Sequence, residues 1–333
     1  MKRRLFLHSS SAAAIAALTG CGGGGGTPAT ASSAVEASAA PAASTAPATS
    51  APAAPAVEAA PITAPATADG LPAKILGCYF TSWDTTYRIT DVPLDFNVIY
   101  LFHAKPDGVR DTNNTGNGSF KYEHLDLVTA DQVQTCRQRG QKVILTVGGA
   151  NNGFNFDYRT ESQNFVYSFR TMYSMLGGVD GCDFNNFEAN VGSSTTEMIW
   201  IAQQLRASYG QNFAITAPPQ PNSAQDRSMM QAMSNAGALT YAAPQYYDWT
   251  GFNEPGFISN SIGQWVALLG DARKVLVGLG GSYSNGPSVE DCIREWDIIK
   301  KAHPTIRGMF CWSAQTNLNG GNVWCSTMKS KLA

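Results

Sequence analysis

The chain has 333 residues, a formal net charge of −2 and 44% hydrophobic residues. Its Lys and Arg are scattered, with no basic patch or stripe, which argues against nucleic acid as a partner. The length would allow two domains, but all seven Trp and all twelve Tyr fall after residue 70, so one globular domain over 71–333 is expected, about the size of an α/β barrel.

Residues 1–21 read as an address. Lys2-Arg3-Arg4 is a basic start, and the apolar stretch Ala12 to Leu18 is too short to span a bilayer. Leu18-Thr19-Gly20-Cys21 resembles a lipobox, in which Cys21 would be acylated and become the mature N-terminus. Arg3-Arg4-Leu5-Phe6-Leu7 resembles a twin-arginine export signal. An exported, lipid-anchored protein is expected, held at the outer membrane or cell surface and monomeric. Residues 22–70 are Gly, Ala, Pro, Ser and Thr with only Glu36, Glu58 and Asp69 charged. Such a stretch buries too little apolar surface to offset the entropy of ordering it, so a disordered tether is expected.

From residue 74 onward, short β-rich runs alternate with longer segments of helical periodicity. Eight strands are predicted: Lys74–Trp83, Phe96–His103, Lys142–Gly149, Val179–Glu188, Phe213–Pro218, Leu239–Tyr247, Lys274–Gly280 and Arg307–Ser313. Between them, Phe165, Phe169, Met172 and Leu176 recur at helical spacing, as do Val289, Cys292, Ile293 and Trp296. Eight βα repeats point to a single (β/α)8 TIM barrel, with an open doubly wound sheet as the alternative. Of the Cys after Cys21, Cys78, Cys182 and Cys311 sit in apolar strand-like runs, which favours buried free thiols over a disulfide framework. No Cys/His spacing suggests zinc, and no metal or cofactor is implied.

In such barrels the site lies at the C-terminal ends of the strands, and polar and aromatic residues gather there. Trp83 and Asp84 end the first strand, Gly148 to Asn152 the third, and Asn185, Asn186 and Glu188 the fourth. Gln245, Tyr246, Tyr247, Asp248 and Trp249 end the sixth, and Trp312, Ser313 and Gln315 the eighth. Aromatic rings stack on pyranose CH faces and a carboxylic acid can protonate a glycosidic oxygen, so this set suits a sugar. Alternation along the sixth strand makes Tyr247 the inward residue and Tyr246 core. Phe154, like Trp83 and Trp249, is expected either to stack on sugar or to cover the barrel mouth. His103, alone on the second strand, reads as a satisfied core residue.

These motifs together resemble glycoside hydrolase family 18, the chitinases and endo-β-N-acetylglucosaminidases. Thr146-Val147-Gly148-Gly149 resembles the family's SxGG signature, and the run Asp180 to Glu188 its DGxDxDxE. Gln245-Tyr246-Tyr247-Asp248 resembles its sixth-strand segment, and Gly308 to Ser313 its eighth. The resemblance implies Glu188 as general acid and a substrate 2-acetamido oxygen as nucleophile, so no protein nucleophile is required. It implies Asn186 as the residue that orients the acetamide and Tyr247 as a hydrogen-bond donor to it, while Asp183 reads either as a catalytic residue or as a buried structural carboxylate. Trp312 would lie under the reacting sugar, with Gln245, Asp248, Trp83, Gly149 and Trp249 as further binding residues. Cleavage of β-1,4 bonds at N-acetylglucosamine in chitin or a related glycan, with retention, is the activity implied.

The fourth-strand motif departs from the family pattern. Glu188 follows Asp183 by one residue too many, so both face inward only if a β-bulge lies near Asn185-Asn186. Asn186 stands where the family has Asp, and an amide carries no charge to balance an oxazolinium. Two alternatives therefore stand beside the hydrolase: a lectin-like barrel that binds sugar with little or no turnover, and a two-carboxylate glycosidase pairing Glu188 with Asp248.

Overall fold

A computed structural model describes residues 69–107, 116–150, 152–185, 193–248, 250–281 and 283–332. The expected lipidation site Cys21 and the site candidates Asn186, Glu188 and Trp249 lie outside the described residues.

The strands are β1 (Ile75–Thr81), β2 (Val98–Pro106), β3 (Phe120–Tyr122), β4 (Lys142–Gly148), β5 (Gly181–Asn185), β6 (Ala214–Ala217), β7 (Tyr241–Ala242), β8 (Gln245–Tyr246), β9 (Leu276–Leu279) and β10 (Gly308–Cys311). Among the described residues, eight α-helices accompany them. Those used below are α2 (Arg159–Met175), α6 (Val289–Ala302), α7 (Ala314–Asn319) and α8 (Val323–Leu332). The sheet runs β7-β6-β5-β4-β2-β1-β10-β9-β8, and every pairing along that path is parallel.

All eight expected strand positions are occupied, with two differences. The sixth is split: Ala243-Pro244 separates β7, which pairs with β6, from β8, which pairs with β9. Together they close the ring, because Ala243 N–H donates to Ala217 O at 2.8 Å while Gly278 N–H donates to Pro244 O at 2.9 Å. Proline has no N–H to offer a ladder, so the strand breaks there and changes partner. The second difference is β3, an unexpected short strand that pairs antiparallel with β2.

Alternation along each strand separates two apolar layers. Ile75, Tyr79, Val98, Tyr100, Leu276 and Phe310 point into the barrel. Leu76, Cys78, Ile99, Cys182, Val277 and Cys311 point outward and meet the helices. Phe165, Phe169 and Met172 on α2, and Cys292 and Trp296 on α6, are the buried helical faces that the periodicity marked. Cys78, Cys136, Cys182, Cys292, Cys311 and Cys325 are all buried free thiols.

The N-terminal end of the barrel is sealed. Arg307, 4% exposed, donates to both carboxylate oxygens of Asp69 at 2.8 Å, and its guanidinium lies over the Tyr241 ring. Leu71 is buried beside it. Asp69 and Gly70, assigned above to the tether, thus belong to the folded domain: two charge-assisted hydrogen bonds hold Asp69 to the barrel floor.

Candidate functional site

A structural carboxylate immediately precedes β5. Asp180 accepts from Val143 N–H at 3.0 Å and pairs with Arg137 at 3.2 Å and Lys142 at 3.5 Å. It closes the N-terminal end of the β4–β5 pair, remote from the C-terminal mouth.

Asp183, three residues on, points the other way and lies inside the barrel, 1% exposed. Tyr79 Oη donates to its Oδ2 at 2.8 Å, Thr146 Oγ1 to Oδ2 at 3.1 Å, and Thr216 Oγ1 to Oδ1 at 2.6 Å. The hydroxyls come from β1, β4 and β6, all from inward-facing positions. Hydroxyl donors are what a buried carboxylate needs in place of water. Burial, and then the adjacent Asp183 charge, push the Tyr79 phenol well above its usual value.

Above this layer an aromatic group forms the cavity floor. Trp312, just past β10, packs on Phe102 at 4.7 Å between ring centroids, on Tyr79 at 5.4 Å, and on Tyr247 at 6.2 Å with rings nearly parallel. Trp83, 53% exposed, stands at the rim with its ring 6.2 Å from Trp312. Tyr247 Oη donates to Gln245 Oε1, and Gln245 Nε2 donates to Pro218 O at 2.8 Å. Gln245 thus fixes the Tyr247 hydroxyl and is itself fixed to the loop after β6. Tyr246, its neighbour, is fully buried on the outer face and donates to Ser261 Oγ at 2.9 Å.

These rings enclose a cavity of about 390 Å³ whose wall includes Trp83, His103, Lys105, Asn152, Asp248 and Trp312. A second cavity, of about 710 Å³, adjoins it through Asp248 and continues over Phe252, Asn253 and Asn285. Asp248 occupies left-handed backbone (φ 60°). Its N–H donates to Asn285 O at 2.8 Å, and Asn285 Nδ2 returns a bond to its Oδ1 at 3.1 Å. The loops after β8 and β9 are therefore latched to each other at the junction of the two cavities.

The structure thus gathers Tyr247, Asp248, Trp83 and Trp312 at one cavity, with Gln245 and Asp183 behind it. Gly149 reaches the cavity indirectly: an added Cβ there would lie 2.6 Å from both His103 Nδ1 and Phe102 Cζ. Phe154 is a correction. It is 1% exposed and stacks on Phe156 at 5.5 Å, with Phe120 and Phe165 beside it. The unexpected β3 supplies Phe120, which makes Phe154 part of a closed aromatic core. Sequence reasoning also missed His103, Lys105 and Tyr283 as cavity residues.

No family model matches the chain. It is 24% identical over 287 residues to Endochitinase 3 of Metarhizium robertsii, covering 74% of this chain and 88% of that one. It is 24% identical over 180 residues to Chitinase Chi52 of Paenibacillus xylanexedens, covering 50% of this chain. The match spans 31% of that relative's own length. Among solved structures, a family GH18 chitinase from Chromobacterium violaceum superposes with a TM-score of 0.65 at 17% identity, covering 79% of this chain and 84% of that one.

Proposed function

For a chain of the chitinase-like glycoside hydrolase family 18 type, we propose hydrolysis of β-1,4 bonds at N-acetylglucosamine, in chitin or a related glycan, with retention at the anomeric carbon. The observation that carries this is the cavity itself: an aromatic floor made by Trp312, a fixed Tyr247 hydroxyl beneath the mouth, and the Asp183 carboxylate buried below. A flat indole under an open cavity suits a pyranose ring.

Glu188 is the proposed general acid. It protonates the glycosidic oxygen while the substrate's own 2-acetamido oxygen attacks the anomeric carbon, giving an oxazolinium and a free leaving alcohol. Water then opens the oxazolinium, with Glu188 taking its proton. Tyr247 turns its single O–H from Gln245 Oε1 to the acetamide carbonyl when substrate binds. Asn186 orients the acetamide without adding charge, so the negative charge opposite the oxazolinium comes from Asp183 and Asp248. Gln245 holds Tyr247, and Trp83 and Trp249 extend the sugar platform.

The test is incubation of the full chain with chitotetraose and chitohexaose, products resolved by mass spectrometry, beside a Glu188→Gln control. Cleavage by the native chain and a loss of about 10²- to 10⁴-fold in the control is expected. Cleavage unchanged in the control removes Glu188 as the acid. Binding without cleavage favours the lectin-like alternative, for which Asn186 is the motivating residue. The two-carboxylate alternative rests on Asp248, which Asn285 holds at the cavity wall. It needs no 2-acetamido group, so cleavage of plain β-1,4-glucosides would favour it.

Acylation at Cys21, export in the twin-arginine manner, and a monomer anchored at the outer membrane or cell surface complete the proposal. A Cys21→Ser variant released from the membrane fraction is the expected result, and retention there refutes the anchor.

A further inference from the structure

We propose that His103 binds the substrate, as a neutral hydrogen-bond acceptor for a hydroxyl of the pyranose seated over Trp312; this rests on the sugar-binding function proposed above. Three contacts and one clearance fix the imidazole. It stacks on Phe102 at 4.0 Å with rings 5° apart, and the Trp83 ring meets it at 6.0 Å. Its Nδ1 bonds the carbonyl of Gly148, which as a pure acceptor demands the N–H at Nδ1. Gly149 leaves the space it fills, since a Cβ there would stand 2.6 Å from Nδ1.

With the proton on Nδ1, the tautomer is set and Nε2 carries a bare lone pair. No described residue bonds Nε2, and the ring forms part of the cavity wall. Burial holds the imidazole down to about 4, so it stays uncharged in neutral solution. A fixed, uncharged acceptor at the wall of an aromatic-floored cavity takes an O–H donor, and each pyranose carries several. The ring is placed there by an irregularity in β2. Leu101 pairs with Leu145 but Ala104 with Val147, so Phe102 and His103 take up one residue more than the facing strand.

Two substitutions separate the two nitrogens. In His103→Asn the amide keeps a donor near Nδ1 for Gly148 and loses the group at Nε2. In His103→Gln the amide oxygen reaches the Nε2 position and the Gly148 bond is lost. Both are placed in the full chain carrying Glu188→Gln, and chitohexaose binding is read by tryptophan fluorescence, since Trp83 and Trp312 line the cavity. Expected is a 3- to 10-fold weaker Kd for the Asn variant, roughly one neutral hydrogen bond, with near-parent binding by the Gln variant despite a lower Tm. Equal weakening in both variants, or parent-like binding in both, overturns the inference while leaving the proposed function intact. If the parent itself neither binds nor, with Glu188 restored, cleaves chitohexaose, the proposed function and this assignment fall together.

Discussion

Tyr79 Oη donates to Asp183 Oδ2 at 2.8 Å inside the barrel, joining β1 to β5 across its interior. With Thr146 and Thr216 bound to the same carboxylate, three strands other than β5 depend on one buried charge. Tyr79→Phe removes one charge-assisted bond, and a loss of about 1.5–3 kcal/mol in urea unfolding is expected. Asp183→Ala leaves three buried hydroxyls facing a void and is expected to cost more. A loss below about 0.5 kcal/mol in both would deny the carboxylate its structural share.

Trp312→Ala should strip the floor from the cavity. Losing the apolar contact of one indole face is expected to cost about 2 kcal/mol of sugar binding, near 30-fold in Kd for chitohexaose. Trp312→Phe should recover part of it, because a smaller ring still offers a flat face. Affinity unchanged in the Ala variant would place the sugar elsewhere.

His103 should make stability fall with acid. Burial, opposed by the Gly148 carbonyl, lowers its folded-state value from 6.5 to about 4, with Lys105, Glu123 and His124 as the charged or titratable neighbours that act on it. The unfolded chain therefore binds its proton first. The contribution is complete above about pH 6.5 and is lost as pH falls toward 4, by about 3 kcal/mol in total. Urea midpoints of the native chain and of His103→Asn, taken from pH 7 to pH 4.5, should diverge in slope. Parallel slopes would exonerate His103.

Gly149→Ala should be among the most damaging single changes. The residue sits at φ +107°, where a side chain is strained, and its Cβ would overlap the two rings of Phe102 and His103. A loss of about 2–4 kcal/mol is expected, with weaker sugar binding because both rings border the cavity. A Tm within a degree or two of the native chain would contradict this.

A thiazoline mimic of the oxazolinium supplies a test of chemistry independent of mutation. Substrate-assisted attack predicts competitive inhibition by that mimic and no cleavage of cellohexaose, which lacks the acetamide. The converse pair of results would favour Glu188 working with Asp248.

Much of the barrel was legible because inward and outward faces alternate: the parity that sends Tyr246 outward to Ser261 sends Tyr247 to the cavity. The same rule concealed His103. Val98, Tyr100 and Phe102 face the interior, so strict alternation turns His103 away from it. The shift between Leu101 and Ala104 breaks that parity, and no residue type in the run announces it. Phe154 was misjudged for a different reason. Its burial depends on Phe120, which lies on a three-residue strand too short to show a period. The spacing from Asp183 to Glu188 was visible in sequence as a departure, and β5 is described as far as Asn185, with Asp183 facing inward.

The six buried thiols turn the domain into its own clock. Burial raises Cys78, Cys182 and Cys311 well above ordinary thiols and Cys136 to about 11, so neither access nor ionisation favours alkylation while the barrel is closed. A soluble iodoacetamide label would therefore accumulate on these positions only when the packed layer between strands and helices opens. If labelling advances at all six together, the barrel opens as one cooperative body. If Cys325 on α8 runs ahead of Cys182 on β5, the C-terminal helix detaches first, and the order of labelling maps the sequence in which the fold comes apart.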